Sequence, residues 1–164
     1  MMFPPDLLIR AEKLLESSRV QGLRIATAES CTGGLIAALL TEIAGSSDVF
    51  GRGFVTYSDK AKQDMLGVPG ALLRQHGAVS EAVARAMAQG AVRNSTAQLS
   101  VAVTGIAGPG GGSEEKPVGL VHIAAARAGA PTLHRECHFG DIGRGEIRLK
   151  SVETALEMME QLVQ

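Results

Sequence analysis

The chain has 164 residues, 45% of them hydrophobic and 20% charged, with a formal net charge of −1, values of a water-soluble globular chain that buries roughly two-thirds of its unfolded surface. Near-neutral charge gives no basic field for counterion release, and a single tyrosine without any tryptophan gives no stacking platform, which excludes nucleic acid as the partner. Two distant cysteines exclude a disulfide framework and a zinc site, and the start "MMFPPDLLIRAEKLL" excludes a signal peptide or membrane span, so a reducing cytoplasm is the expected setting.

From Pro5 to about Arg19, Leu7, Leu8, Ala11, Leu14 and Leu15 recur at helical spacing and predict an amphipathic helix. "LRIATA" (23–28) is short and apolar, as a buried strand would be, and "GGLIAALLTEIA" (33–44) returns to helical spacing with Gly45 as its stop. "VFGRGFVTYS" (49–58) is β-rich, and "DKAKQDML" (59–66) predicts a helix ended by Gly67. Ser80 and Glu81 open an alanine-rich helix over 80–95 in which Gly90 is the weak position. "QLSVAVTG" (98–105), "VGLVHIAAARA" (118–128) and "TLHRECHF" (132–139) predict strands, and 145–163 predicts a final helix with Ile147, Val152, Ala155, Leu156, Met159, Leu162 and Val163 on its buried stripe.

No repeat or low-complexity linker interrupts the chain, so residues 1–164 are expected to form one domain. Interleaved helices and strands followed by a meander and a helix predict an α/β fold, a three-layer α/β/α sandwich with a mixed central sheet. Ligands in such folds gather at loops leaving strand ends. That directs attention to 29–34, 44–48, 57–62 and 104–117.

"TAESCTGG" (27–34) follows a predicted strand and opens a helix. Gly33 and Gly34 permit a sharp turn with exposed amides, so a nucleophile just before them would have oxyanion donors beside it. A plainer alternative is that Ser30 or Thr32 only caps the helix. Cys31 is the better intrinsic nucleophile, so the residues by themselves favour sulfur over the Ser30 hydroxyl. His76, assigned to a loop, and His122, His134 and His138, assigned to strands, have no triad-like setting, whereas a buried lysine can serve as a base. Lys60 and Lys62 both follow Tyr57; Lys60 adjoins Asp59 and has a solvated setting, and two surface lysines are the plainer alternative for the pair.

The loop "TGIAGPGGGSEEKPVG" (104–119) matches neither G-x-G-x-x-G nor a Walker motif, but its glycines let backbone approach a ligand such as a phosphate. Arg144 and Arg148 stand four apart at a helix start, a position where arginine hints at a ligand anion. Cysteines and histidines lack ligand spacing, so metal-free and cofactor-free chemistry is expected.

Together "TAESCTGG", "IAGSS", "GFVTYSDKAKQDMLGV", "GAVSEAVARAMAQGA", "VTGIAGPGGGSEEKPVG" and "GDIGRGEIR" resemble the C-terminal domain of the competence/damage-inducible protein CinA, from about residue 6 to 160. That family includes stand-alone nicotinamide mononucleotide deamidases, and longer members carry an additional N-terminal molybdopterin-binding-like domain; this chain is expected to be the stand-alone type. The resemblance implies a serine/lysine amidohydrolase that converts nicotinamide mononucleotide to nicotinic acid mononucleotide in pyridine nucleotide recycling. It reverses the preference for Cys31 and implies Ser30 as nucleophile and Lys62 as base, with Tyr57 assisting. It further implies Glu29, Thr32, Gly33, Gly34, Ser47, Thr104, Gly105, Ile106, Ala107, Gly108 and Arg144 as substrate-binding positions, and a homo-oligomer. Ile142 and Gly143 intervene after Asp141, where the family pattern resembles G-D-R-x-x-[IV]-R, so the turn before Arg144 is longer here. A Cys31-dependent amidase and a non-catalytic nucleotide-binding module are the rival expectations; a partner-binding role in DNA uptake or damage response rests on the family's name alone.

Overall fold

In the computed structural model, which describes residues 2–164, helix α1 (Pro5–Val20) leads into strand β1 (Ile25–Glu29) and helix α2 (Leu35–Thr41). A 3-10 turn (Ser46–Asp48) precedes β2 (Phe50–Val55), and then come α3 (Asp59–Leu66), α4 (Gly70–His76) and α5 (Glu81–Arg93). Strands β3 (Leu99–Gly105), β4 (Leu120–Arg127) and β5 (Leu133–His138) follow, and α6 (Arg144–Leu162) closes the series. The five strands form one sheet in the order β2-β1-β3-β4-β5. β1 pairs in parallel with β2 and β3, whereas β3–β4 and β4–β5 are antiparallel. The sheet is therefore mixed, as the order of elements predicts.

Strand alternation decides what each face carries. Ile25, Val101, Val103, Val121 and Ile123 pack with α1, α2 and α6, while Ala26, Ala28, Ala102, Ala124 and Ala126 pack with α3, α4 and α5. Large side chains thus fill one interlayer space, and alanines let α5 settle close to the other face. Gly90 extends that closeness to helix on helix: a Cβ there would lie 2.1 Å from the Leu66 carbonyl oxygen. The residue that weakens the helical pattern of 80–95 is the one that lets α5 touch α3.

Three details differ from the sequence pattern. Helix α2 covers Leu35–Thr41 rather than 33–44: Gly33 and Gly34 take positive φ of 58° and 104° and cannot be helical, and the helix gives way to turns at Glu42, before Gly45 is reached. The segment after Gly67 forms α4 behind Pro69, so His76 ends a helix instead of lying in a loop. Residues 44–48 lead into the start of β2, where Phe50 pairs with Ile25, and this loop lies at the end of the strands opposite Ser30. Five strand residues at roughly 3.3 Å each put about 17 Å between those ends.

Candidate active site

Period-two alternation along β1 sends Glu29 and Ser30 to opposite faces. Glu29 is buried, and its carboxylate accepts hydrogen bonds from the amides of Ile36 (2.9 Å) and Ala37 (3.1 Å). It caps the first turn of α2 and anchors the loop between, so its carboxylate points away from the open cleft. Ser30 continues the ladder through its amide to the Val103 carbonyl (3.0 Å) and faces the α3 side. The Gly33 amide then folds back onto the Ser30 carbonyl (2.9 Å), which makes the turn tight.

Lys62 enters from α3. Ser58 caps that helix by accepting from the Ala61 amide (3.0 Å), and Gly67 ends it at φ 67°. Lys62 is 2% exposed, and its Nζ donates to the Thr56 carbonyl at 2.9 Å and lies 3.2 Å from Ser30 Oγ. Burial lowers the pKa of the ammonium, against the attraction of the Asp59 carboxylate, which acts to raise it. A lysine so placed is biased toward the neutral amine that can accept a hydroxyl proton. Lys60 faces solvent beside Asp64 instead.

A cleft of about 330 Å³ opens in front of this pair. Tyr57, Asp59, Ala78, Val79, Thr104 and Arg144 line it together with the loop backbone from Gly105 to Gly108 and at Gly110–Gly111. Thr104 is itself turned away, donating to the Ala78 carbonyl (2.9 Å), and so ties β3 to the segment before α5. Ile106 and Gly119 exchange backbone bonds with Leu120 and Ile106 at the neck of the glycine-rich loop, which pins that loop at its base. Arg144, the first residue of α6, spans the mouth by donating to the Gly108 carbonyl (2.7 Å) and to Tyr57 Oη (2.9 Å). The longer turn through Ile142 and Gly143 therefore still delivers its guanidinium to the cleft. The hydrogen bond made by the Tyr57 hydroxyl runs to Arg144, not to Lys62.

Most of the sequence-predicted positions converge on this end of the sheet, but Ser47 does not. It is exposed in the 3-10 turn at the opposite end of the strands, next to the Arg19–Asp48 ion pair. Short sequence distance to β2 brings Ser47 to the entry of that strand, whereas Tyr57 and Lys62 follow its exit. Thr32 is fully buried under the turn, so its hydroxyl does not face the cleft. Of the amides expected to hold an oxyanion over Thr32–Gly34, that of Gly33 is already taken by Ser30. Among the described residues, those of Cys31, Thr32 and Gly34 have no protein acceptor.

Cys31 lines the cleft but is 6% exposed, and burial pushes its thiol up to about 11, so sulfur is held as the thiol near neutral pH. None of the histidines reaches the cleft. His122 and His134 meet ring nitrogen to ring nitrogen at 2.9 Å beneath α5. Among the described residues no group of three or more His, Cys, Asp and Glu side chains could hold a metal ion, and no helix is long and apolar enough to cross a membrane. Arg148, read from the sequence together with Arg144 as pointing to a ligand anion, instead turns its guanidinium to the carbonyls of Cys31 (3.1 Å) and Thr32 (3.2 Å) from α6. The four-residue spacing puts both arginines on one side of α6, Arg144 at the mouth of the cleft and Arg148 behind the turn.

Residues 9–163 match the family model described as the CinA C-terminal domain. The chain is 47% identical over 161 residues to the nicotinamide-nucleotide amidohydrolase PncC of Escherichia coli K12, covering 98% of this chain and 96% of that one. A CinA-like protein of Syntrophobacter fumaroxidans is 52% identical over 145 residues, which are 88% of this chain and 34% of that longer protein. The crystal structure of competence/damage inducible protein CihA from Agrobacterium tumefaciens superposes with a TM-score of 0.97 at 57% identity, covering 99% of this chain and 98% of that one. A CinA superfamily structure from Escherichia coli gives 0.89 at 35% identity, covering 95% and 90%. With near-complete coverage in sequence and in structure, the chain belongs to the CinA C-terminal domain family.

Proposed function

We propose that this protein removes ammonia from the carboxamide of nicotinamide mononucleotide, giving nicotinic acid mononucleotide, with Ser30 as nucleophile and Lys62 as its base. The observation that carries this reading is the buried Lys62 amine 3.2 Å from Ser30 Oγ at the floor of a nucleotide-sized cleft. The 47% identity to a nicotinamide-nucleotide amidohydrolase supports the choice of substrate.

In this mechanism Lys62 takes the Ser30 hydroxyl proton as Oγ attacks the carboxamide carbon. The oxyanion forms against the unoccupied amides of the 31–34 turn. The Lys62 ammonium returns the proton to the amide nitrogen, the C–N bond breaks, and ammonia leaves an acyl ester on Ser30. Water adds to that ester with Lys62 again as base, and collapse reprotonates Ser30 Oγ and frees the carboxylate. One N–H of Lys62 stays on the Thr56 carbonyl, which keeps the lone pair aimed at Ser30. Arg144 and the 105–108 backbone hold the ribose phosphate, which replaces Tyr57 Oη and the Gly108 carbonyl as partner of the guanidinium. Tyr57, 61% exposed at the mouth, contacts the nucleotide from outside.

Ammonia release from the mononucleotide tests the assignment. Wild type and Cys31→Ala should be active, and Ser30→Ala and Lys62→Ala should lose at least about a thousandfold in kcat. Full activity in Ser30→Ala would sink the proposal. Tight mononucleotide binding by calorimetry without any ammonia release would identify a binding module instead.

A further inference from the structure

We propose that Arg148 is a positioning residue for the oxyanion donors, holding the peptide after the nucleophile so that the Thr32 amide faces the reacting carbonyl; this rests on the amidase reading above. Three successive carbonyls of the nucleophile turn are all hydrogen-bonded. Ser30 accepts from the Gly33 amide at 2.9 Å, and Thr32 accepts from the Leu35 amide at 3.1 Å and from Arg148 Nη2 at 3.2 Å. The carbonyl between them, Cys31, has Arg148 Nε at 3.1 Å as its partner and no other among the described residues. The Cys31–Thr32 peptide is thus anchored from α6 alone.

A trans peptide points its C=O and N–H in opposite directions. With the Cys31 oxygen drawn toward α6, the Thr32 N–H is turned toward the α3 and α5 side, where Ser30 and Lys62 stand. The amides of Cys31 and Thr32 both lack a protein acceptor, so both remain available as donors in the turn that follows Ser30. Without the guanidinium no hydrogen bond among the described residues holds the Cys31 carbonyl, so the Cys31–Thr32 plane can rotate between its bonded neighbours and turn its donor away without any change at Ser30 or Lys62. The charge also matters: burial raises the Cys31 thiol to about 11, and the Arg148 cation is among the forces acting the other way, so its field reaches the turn. An anion developing one residue earlier feels the same attraction.

Arg148→Met and Arg148→Lys in the full chain test this by two readouts. Steady-state ammonia release is measured with nicotinamide mononucleotide and with its thioamide, whose sulfur is a poor hydrogen-bond acceptor. Amide proton exchange at Thr32 is followed by NMR, with Ile25 and Val101 reporting on the fold. Arg148→Met should lower kcat for the amide by roughly thirtyfold or more with KM within about twofold. The loss should be smaller for the thioamide, Thr32 exchange should accelerate, and Ile25 and Val101 should stay protected; Arg148→Lys should recover part of kcat. An unchanged kcat, a change confined to KM, equal losses for both substrates, or an unmoved Thr32 amide overturns the proposal. If wild type releases no ammonia, the amidase reading and the oxyanion role fall together, and Thr32 exchange still shows whether Arg148 anchors the turn.

Discussion

Lys62 Nζ lies 3.2 Å from Ser30 Oγ and 2.9 Å from the Thr56 carbonyl, so the amine is held by the backbone that follows β2 while it faces the strand end of β1. Burial lowers the pKa of this lysine from its ordinary value. As a base it acts in the neutral form, so kcat/KM should rise with pH through that lowered pKa and level off above it. A pH–rate profile checks this; a rate that falls over the same limb would mean that the ammonium is the working form.

Asp59 lines the same cleft and acts to raise the Lys62 pKa. Asp59→Asn removes the negative charge, which leaves burial less opposed. The limb of the pH–rate profile should move to lower pH, with a higher fraction of wild-type activity retained under mildly acidic conditions.

The buried Glu29 carboxylate holds the amides of Ile36 and Ala37. Glu29→Ala orphans both donors at the start of α2 and should cost about 2–3 kcal/mol, measured by chemical denaturation. Glu29→Gln keeps one acceptor oxygen and should cost less. Equal stability of all three proteins would show that the cap contributes nothing.

Gly90→Ala opposes two effects of known size. Alanine gains about 1 kcal/mol of helix propensity over glycine. Its Cβ would meet the Leu66 carbonyl oxygen at 2.1 Å, and a backbone atom cannot swing aside, so α5 and α3 must separate. Overpacking of this kind costs about 1–3 kcal/mol, and the net effect should be destabilising. Because α3 carries Lys62, kcat of the folded protein should fall by about tenfold or more.

His122 and His134 bond to each other, with Glu136 and Glu81 at 3.6 Å from their outer nitrogens. Burial lowers both pKa values below the ordinary histidine value. The unfolded chain then binds protons that the native pair does not, so stability should decline as pH falls through about 6.5 toward the lowered values. Each proton of difference steepens that decline by at most about 1.4 kcal/mol per pH unit. His134→Gln should flatten the slope in denaturation series between pH 7 and 5.

The residue pattern reached the fold class and most elements because their causes are local. The unbroken apolar run of "LRIATA", the Ser80 cap and the glycine stop at 67 are all settled within a few residues. Helix α4 escaped because it is a single short apolar stretch behind a proline, too brief to display a period.

The site divides along the same line. The sequence by itself determined that a hydroxyl and a thiol would sit side by side on a glycine turn after a strand, because chain neighbours cannot separate. By itself it favoured the thiol over the hydroxyl, marked Lys60 as the solvated lysine without showing that Lys62 is buried, and did not separate Ser47 at the entry of β2 from Tyr57 beyond its exit. Tertiary structure decided those points through burial and sheet direction. It brings Lys62 across 32 positions to Ser30 and strips water from the amine, leaves Lys60 in solvent, and buries the Cys31 thiol in its protonated form. It also carries Arg148 across 117 positions to the Cys31 carbonyl. Desolvation and contacts at such separations depend on how the layers pack, and no local pattern encodes them.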